Sequence, residues 1–295
     1  IPRFRRHLFP KIYRSLGSGL TPGTVLRGTR RVGKTILVRQ VMEKMLGEGV
    51  AAKRILYVPF DEIGSLGKLR DPILTISRWY ESRVLERTLN EAARSEGPVF
   101  LLFDEVQNLD AWAPQIKHLV DNNTVRVLLT GSSSLRIEAG RDSLAGRITT
   151  YDLGPLLLRE IAELSCGGQA RPHWEDNGAE RVADPAFWTE GVAKAQEERD
   201  LRLRAFGAFS ARGGYPIAHE RSDAQWQEIA TYLNETIIKR AIQHDLRLGP
   251  RGAKRDEKLL EEVFRLCCRY AGQVAGQSAF VPEIRQALAG NIGWG

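Results

Sequence analysis

Four short apolar runs stand out along the chain: Thr24-Val-Leu26, Ile55-Leu-Tyr-Val-Pro-Phe60, Val99-Phe-Leu-Leu-Phe103 and Val125-Arg-Val-Leu-Leu129. They are nearly continuous rather than alternating and are bounded by polar, Gly or Pro residues, as strands buried on both faces require. A weaker fifth run covers Ile148 to Leu153. Between them, apolar residues recur at helical spacing over Lys34 to Leu46, Asp71 to Ala93 and Trp112 to Leu119. Strand and helix therefore alternate from about residue 24 to residue 153, which predicts an α/β fold with a parallel sheet.

Past Leu153 the strand pattern fades. Cys166 to Asp200 is polar and punctuated by Gly and Pro, and reads as an inserted or mobile loop, about 167–200. Helical spacing returns over Leu201 to Phe209, Gln225 to Gln243, Asp256 to Tyr270 and Ser278 to Leu288. The organisation expected is an α/β core over 1–155, a helical lid over 156–245, and a further helical region over 246–295. The helices at 256–270 and 278–288 are read either as the opening of a winged-helix unit, with its recognition helix starting near Trp294, or as an ordinary helix pair.

Composition narrows the class. The chain has 295 residues, 42% hydrophobic and 27% charged, which suits about two packed domains and excludes disordered and collagen-like classes. No apolar run approaches the roughly 18 residues of a membrane span. Cys166, Cys267 and Cys268 form neither a disulfide framework nor a spaced zinc set. With no apolar signal core after Ile1, a cytoplasmic setting is expected. The absent initiator Met and the end at Asn-Ile-Gly-Trp-Gly295 lead us to expect a natural chain that extends further. Net charge is +7, and no acid precedes Glu43 whereas Arg3, Arg5, Arg6, Lys11 and Arg14 do. An anionic partner near the N-terminus is expected, whether nucleotide phosphate, nucleic acid or an acidic subunit face.

The most specific signal follows the first strand. Gly28-Thr29-Arg30-Arg31-Val32-Gly33-Lys34-Thr35 fits G-x-x-x-x-G-K-[ST], and Ile36 continues into the helix. Glycines let the backbone wrap around phosphates, N–H groups and the helix dipole bind them, Lys34 reaches the β/γ oxygens, and the Thr35 hydroxyl ligates Mg²⁺. A nucleotide with Mg²⁺ is the cofactor this cradle takes. The third strand ends in Asp104-Glu105, read as the Mg²⁺ carboxylate and the base that activates water. Asp61 and Glu62 are a competing acidic pair, read as a strand-end turn. Thr130-Gly-Ser132 brings hydroxyls to the end of the fourth strand, where one can contact water or the γ-phosphate, or simply close a turn. Arg141 and Arg147 are cations available for transition-state charge, and nothing in the residues chooses between them.

Taken in order, Gly28–Thr35, Leu101-Leu-Phe-Asp-Glu-Val-Gln107, Leu128-Leu-Thr-Gly-Ser-Ser-Ser134, Leu144-Ala-Gly-Arg147 and Gly213-Gly-Tyr-Pro216 resemble the AAA+ and STAND-like P-loop ATPases. The resemblance is with prokaryotic ATP-binding proteins whose core precedes a winged-helix region and a C-terminal domain of unknown function. It implies a sheet of order 5-1-4-3-2, Ser132 as the polar sensor, Arg147 as a finger offered to a neighbouring protomer, and Pro216 as a contact to the nucleotide edge. Arg212 is the nearest candidate for a second sensor. The nucleotide implied by the resemblance is ATP or ADP, and the activity implied is Mg²⁺-dependent ATP hydrolysis coupled to movement of the helical region. The alternative is a slow nucleotide switch acting on a DNA or protein partner. A homo-oligomer is open in both, and a membrane in neither.

Overall fold

The five apolar runs form one all-parallel sheet in the order β2-β3-β4-β1-β5, which is the 5-1-4-3-2 arrangement expected. The strands are β1 (Gly23–Arg27), β2 (Ile55–Pro59), β3 (Val99–Asp104), β4 (Val125–Gly131) and β5 (Ile148–Asp152). The computed structural model describes every residue except 19, 63–64, 67–68, 132–141, 171, 173–178, 246–255, 274–275 and 289–295. Ser132, Arg141 and the start of a recognition helix near Trp294 lie outside the described residues.

Alternation along the central strands distributes their side chains between two cores. Val25, Leu101, Phe103, Val127 and Leu129 face one side. There α3 (Pro72–Tyr80), α4 (Leu89–Glu96) and α5 (Trp112–Asn122) cover them with Ile73, Tyr80, Leu89, Trp112 and Ile116. Leu26, Phe100, Leu102 and Leu128 face the other side, under α1 (Phe9–Ser18) and α2 (Lys34–Gly47). The chain over Asp71 to Ala93 is one helical pattern in sequence but two α-helices in space. Glu86 turns left-handed at φ 54°, and Thr88 caps α4 in a reciprocal capping box with Glu91.

By contacts the chain divides into a unit over Ile1–Trp226 and a unit over Gln227–Gly295. In the first, α6 (Leu158–Cys166) packs against α9 (Arg199–Arg212) through a third core that includes Ile161, Ala162 and Ala205. The stretch read as an inserted loop holds α7 (Ala179–Val182) and α8 (Pro185–Glu197). Asp184 caps α8 through the Ala186 N–H and Pro185 opens it, yet only Phe187 is buried, so the helix carries no apolar periodicity to read. In α10 (Pro216–Glu220), His219 joins Ser165 Oγ (2.9 Å) and the Gly213 carbonyl (2.8 Å). The second unit takes up α11 (Trp226–Leu233) and holds α12 (Glu257–Arg269) and α13 (Gln277–Leu288). Asp256 caps α12, and Glu283 of α13 accepts from both Arg269 and Tyr270.

The basic N-terminal arm finds its anion inside the first unit. Glu160, on α6, lies 3.1 Å from the His7 ring Nδ1 and accepts from Arg6 Nε (2.9 Å), the His7 backbone N–H (2.7 Å) and the Leu157 N–H (2.8 Å). Burial works to raise the Glu160 pKa, but these donors outweigh it and bring the carboxyl from 4.5 down to about 2. A depressed carboxyl stabilises the fold above the unfolded pKa and loses that contribution as pH falls toward the folded one. Wild-type thermal stability should therefore fall more steeply between about pH 4.5 and 2 than that of Glu160→Gln. Parallel acid-titration curves for the two proteins would refute the assignment.

Candidate functional site

All five strands run the same way, so their C-terminal ends share one edge, and the motifs converge there. β1 delivers Gly28, β3 delivers Asp104 and Glu105, and β4, lying between them, delivers Thr130 and Gly131. The Gly28 N–H donates to the Gly131 carbonyl at 3.3 Å. A Cβ on Gly28 would be driven into the Leu153 carbonyl oxygen and toward Val32 Cγ2. Gly28→Ala therefore needs a backbone shift, and should lower the melting temperature by several degrees while weakening phosphate binding. A variant as stable as wild type and equally tight for ADP would contradict this packing.

Gly33 sits at φ 99°, a left-handed position that suits glycine, and starts the fourteen-residue α2. Lys34, in the first turn of α2, is only 4% exposed. Its amine donates to the carbonyls of Gly28 (3.0 Å) and Thr29 (3.2 Å) and lies 3.4 Å from Glu105 Oε1. Burial pulls the Lys34 pKa below its usual 10.5, and Glu105 acts in the opposite direction. The amine thus occupies the loop as a cation whose counter-charge comes from β3.

The acidic pair is built with equal care. Asp104 is buried; its Oδ2 accepts from Tyr57 OH (3.1 Å) and its Oδ1 from Thr130 Oγ1. The same Thr130 hydroxyl oxygen accepts the Glu105 N–H at 3.0 Å. Glu105 takes a left-handed φ of 57°, a strained conformation for a side chain with a Cβ, and its Oε2 accepts from Gln107 Nε2. Arg31, in the phosphate loop, has φ 66°. Asp61, at the end of β2, senses this centre: partial burial first, then the Glu105 carboxylate, raise its pKa. Glu62 faces Arg39 at 3.6 Å on the surface.

Tyr57 and Gln107 escape sequence reasoning, and Thr130, one of the strand-end hydroxyls, is not tied by sequence to Asp104. The register pairs Phe103 with Leu129 and so sets Thr130 beside Asp104. Tyr215 is not tied by sequence to the phosphate loop either. The Gly213–Pro216 segment is joined to the end of the sheet by the Leu156 N–H on the Gly214 carbonyl (2.7 Å), and Tyr215 OH lies 3.4 Å from Thr29 Oγ1. Pro216 is the first residue of α10. Arg147 belongs elsewhere. It precedes β5 at the N-terminal edge, roughly 16 Å along the sheet from the phosphate loop at about 3.3 Å per residue, and grips Asp121 with Nε (2.5 Å) and Nη2 (3.0 Å). Arg212 donates to the carbonyls of Ala218, Arg221, Ser222 and Ala224, a structural role in place of the second sensor considered from sequence.

A family model described as an AAA domain matches residues 21–162, which holds the five strands, the phosphate loop and the acidic pair. The match covers just under half of the chain. That match and the all-parallel sheet support an ATP-binding P-loop module. An uncharacterized protein of Methanocaldococcus jannaschii is 30% identical over 141 residues, 48% of this chain and 28% of its own length. An uncharacterized protein of Haemophilus influenzae is 23% identical over 257 residues, 86% of this chain and 53% of its own length. The chain thus spans from about a quarter to about half of these curated relatives. Among solved structures, the Walker-type ATPase of Pyrococcus abyssi aligns with a TM-score of 0.45 at 18% identity, over 90% of this chain and 77% of that one. No described helix is long and apolar enough to cross a membrane.

Proposed function

We propose that this chain hydrolyses ATP with Mg²⁺ at the edge formed by Gly28–Ile36, Asp104 and Glu105, and that turnover moves the helices that follow the sheet. The observation that carries the reading is the Lys34 amine held 3.4 Å from Glu105 across the end of the intervening strand. Phosphate binding and a buried carboxylate meet at one point. Lys34 binds phosphate oxygens and Glu105 accepts the proton of the attacking water. Thr130 keeps Glu105 and Asp104 in register through its single hydroxyl.

Thr35 and Asp104 would hold Mg²⁺, which supplies charge neutralisation between the β- and γ-phosphates when bound. The donor set suits that metal. Among the described residues no three His, Cys, Asp or Glu side chains form a cage, and Mg²⁺ takes one or two protein ligands beside phosphate and water.

Arg147 cannot serve its own loop from the far edge of the sheet, so any catalytic role belongs to a second copy of the chain and requires release of Asp121. The slow-switch reading has one observation of its own: both Glu105 carboxylate oxygens are engaged, by Lys34 and by Gln107. Phosphate release from ATP and Mg²⁺, measured across protein concentrations and then with duplex DNA added, tests these readings. Turnover that rises faster than protein concentration supports an assembling ATPase. Absent turnover with ADP retained through purification supports the switch and overturns the hydrolase.

A further inference from the structure

One buried side chain next to the phosphate loop has no part in the chemistry above. Arg6 is 5% exposed, and every nitrogen of its guanidinium is engaged. Nε donates to Glu160 Oε1 at 2.9 Å. Nη2 donates to the carbonyls of Gly154 (2.9 Å) and Pro155 (3.0 Å) and lies 3.3 Å from Glu160 Oε2. Nη1 donates to the carbonyl of Val32, inside the phosphate loop. With Glu160 as its counter-ion, Arg6 is neither free nor oriented to bind phosphate itself.

Its leverage lies in one peptide plane. The Val32 carbonyl and the Gly33 N–H belong to the same peptide unit, and a trans peptide points them in opposite directions. A guanidinium that draws the carbonyl toward residues 154–160 turns the Gly33 N–H to the other side of the loop. A cation on the carbonyl also polarises the unit and strengthens its N–H as a donor. Gly33, at φ 99°, could otherwise swing over a wide range.

We propose that Arg6 is a positioning residue for the nucleotide's β-phosphate, fixing the Gly33 N–H through the Val32 carbonyl and tying the loop to α6 through Glu160. The proposal rests on the ATP-binding reading and adds to it a mechanical link. By linkage, whatever phosphate gains from an ordered loop, the 154–160 segment gains from bound phosphate. The helices beyond the sheet are then sensitive to nucleotide through one side chain.

Arg6→Gln alone leaves a buried carboxylate without its cation and is expected to lose stability. Arg6→Gln/Glu160→Gln removes both charges together and separates folding from positioning. In that double variant ADP affinity, measured by calorimetry on the whole chain, should fall on the order of tenfold, while affinity for AMP, which has no β-phosphate, should change by less than about twofold. ADP should also protect the Leu157 N–H from hydrogen exchange in wild type and not in the variant. Arg6→Lys keeps the charge but cannot span Val32 and Glu160 at once, so it should show the same ADP-selective loss if the double variant does not fold. Wild-type ADP affinity in either folded variant, or equal losses for ADP and AMP, overturns the role of Arg6. Lys34→Ala keeps the two readings apart: loss of ADP there but not in the Arg6 variants removes only this inference. A wild-type chain that binds no nucleotide removes both.

Discussion

Lys34→Ala is expected to weaken binding of ADP and ATP by about a hundredfold or more, read by calorimetry or by displacement of a fluorescent nucleotide. The estimate follows from two charge-assisted hydrogen bonds to phosphate oxygens, each worth about 1.5–3 kcal/mol. The substitution removes the cation and keeps the helix N-terminus, so the backbone donors of the loop remain and some affinity survives. Lys34 is already desolvated, wedged between two carbonyls and Glu105, so phosphate replaces those partners instead of recruiting a solvated amine. Burial has lowered the pKa of that amine from 10.5. Wild-type ADP affinity should therefore begin to fall, as pH rises, at a lower pH than an ordinary lysine would produce, and Lys34→Ala should lose that dependence. An unchanged Kd in a folded variant would remove the phosphate loop from the proposed function.

The parts of this molecule that could be read from sequence are those where chemistry is local. β3 reads as Val99-Phe-Leu-Leu-Phe103 because α-helices cover both faces of its sheet, and such a strand has no polar side to show. The phosphate loop reads because its residues are contiguous, with Gly33 placed at a left-handed turn. Helix α1 is hard to read from sequence although Phe9, Ile12 and Leu16 keep helical spacing. Three apolar residues in a ten-residue helix were outweighed by the charges around them. Arg6 and Glu160 are 154 positions apart, so the internal counter-charge of Arg6 is not visible along the chain. Arg27 likewise pairs with Asp152, and Lys34 with Glu105. These cations of the acid-free opening stretch meet acids that only the folded chain brings to them. Thr130 is the same lesson on a smaller scale, since only the β3–β4 register assigns its hydroxyl to Asp104.

Glu105→Gln should divide binding from chemistry. As the proposed base, Glu105 contributes proton abstraction, whose removal costs roughly 10²–10⁴-fold in turnover. The amide keeps the size of the carboxylate, and the left-handed turn at φ 57° is imposed by the backbone and held by the Thr130 contact to the N–H. Geometry at the strand end should survive. What changes is charge: a carboxylate 3.4 Å from the Lys34 amine competes with phosphate for that amine and repels it. Its neutralisation should leave ATP affinity equal to or tighter than wild type. Without nucleotide, the same substitution leaves Lys34 buried beside carbonyls and short of one counter-charge, which destabilises the fold. The variant should therefore melt below wild type when empty and gain at least as much as wild type on adding ATP, because binding contributes as the logarithm of one plus the ratio of ligand concentration to Kd. Single-turnover quench measurements and thermal melts with and without ATP and Mg²⁺ read both effects. Wild-type turnover in Glu105→Gln would take the base away from this residue. Lost turnover with equally lost ATP affinity would instead make Glu105 a support for Lys34, with proton transfer assigned to another group.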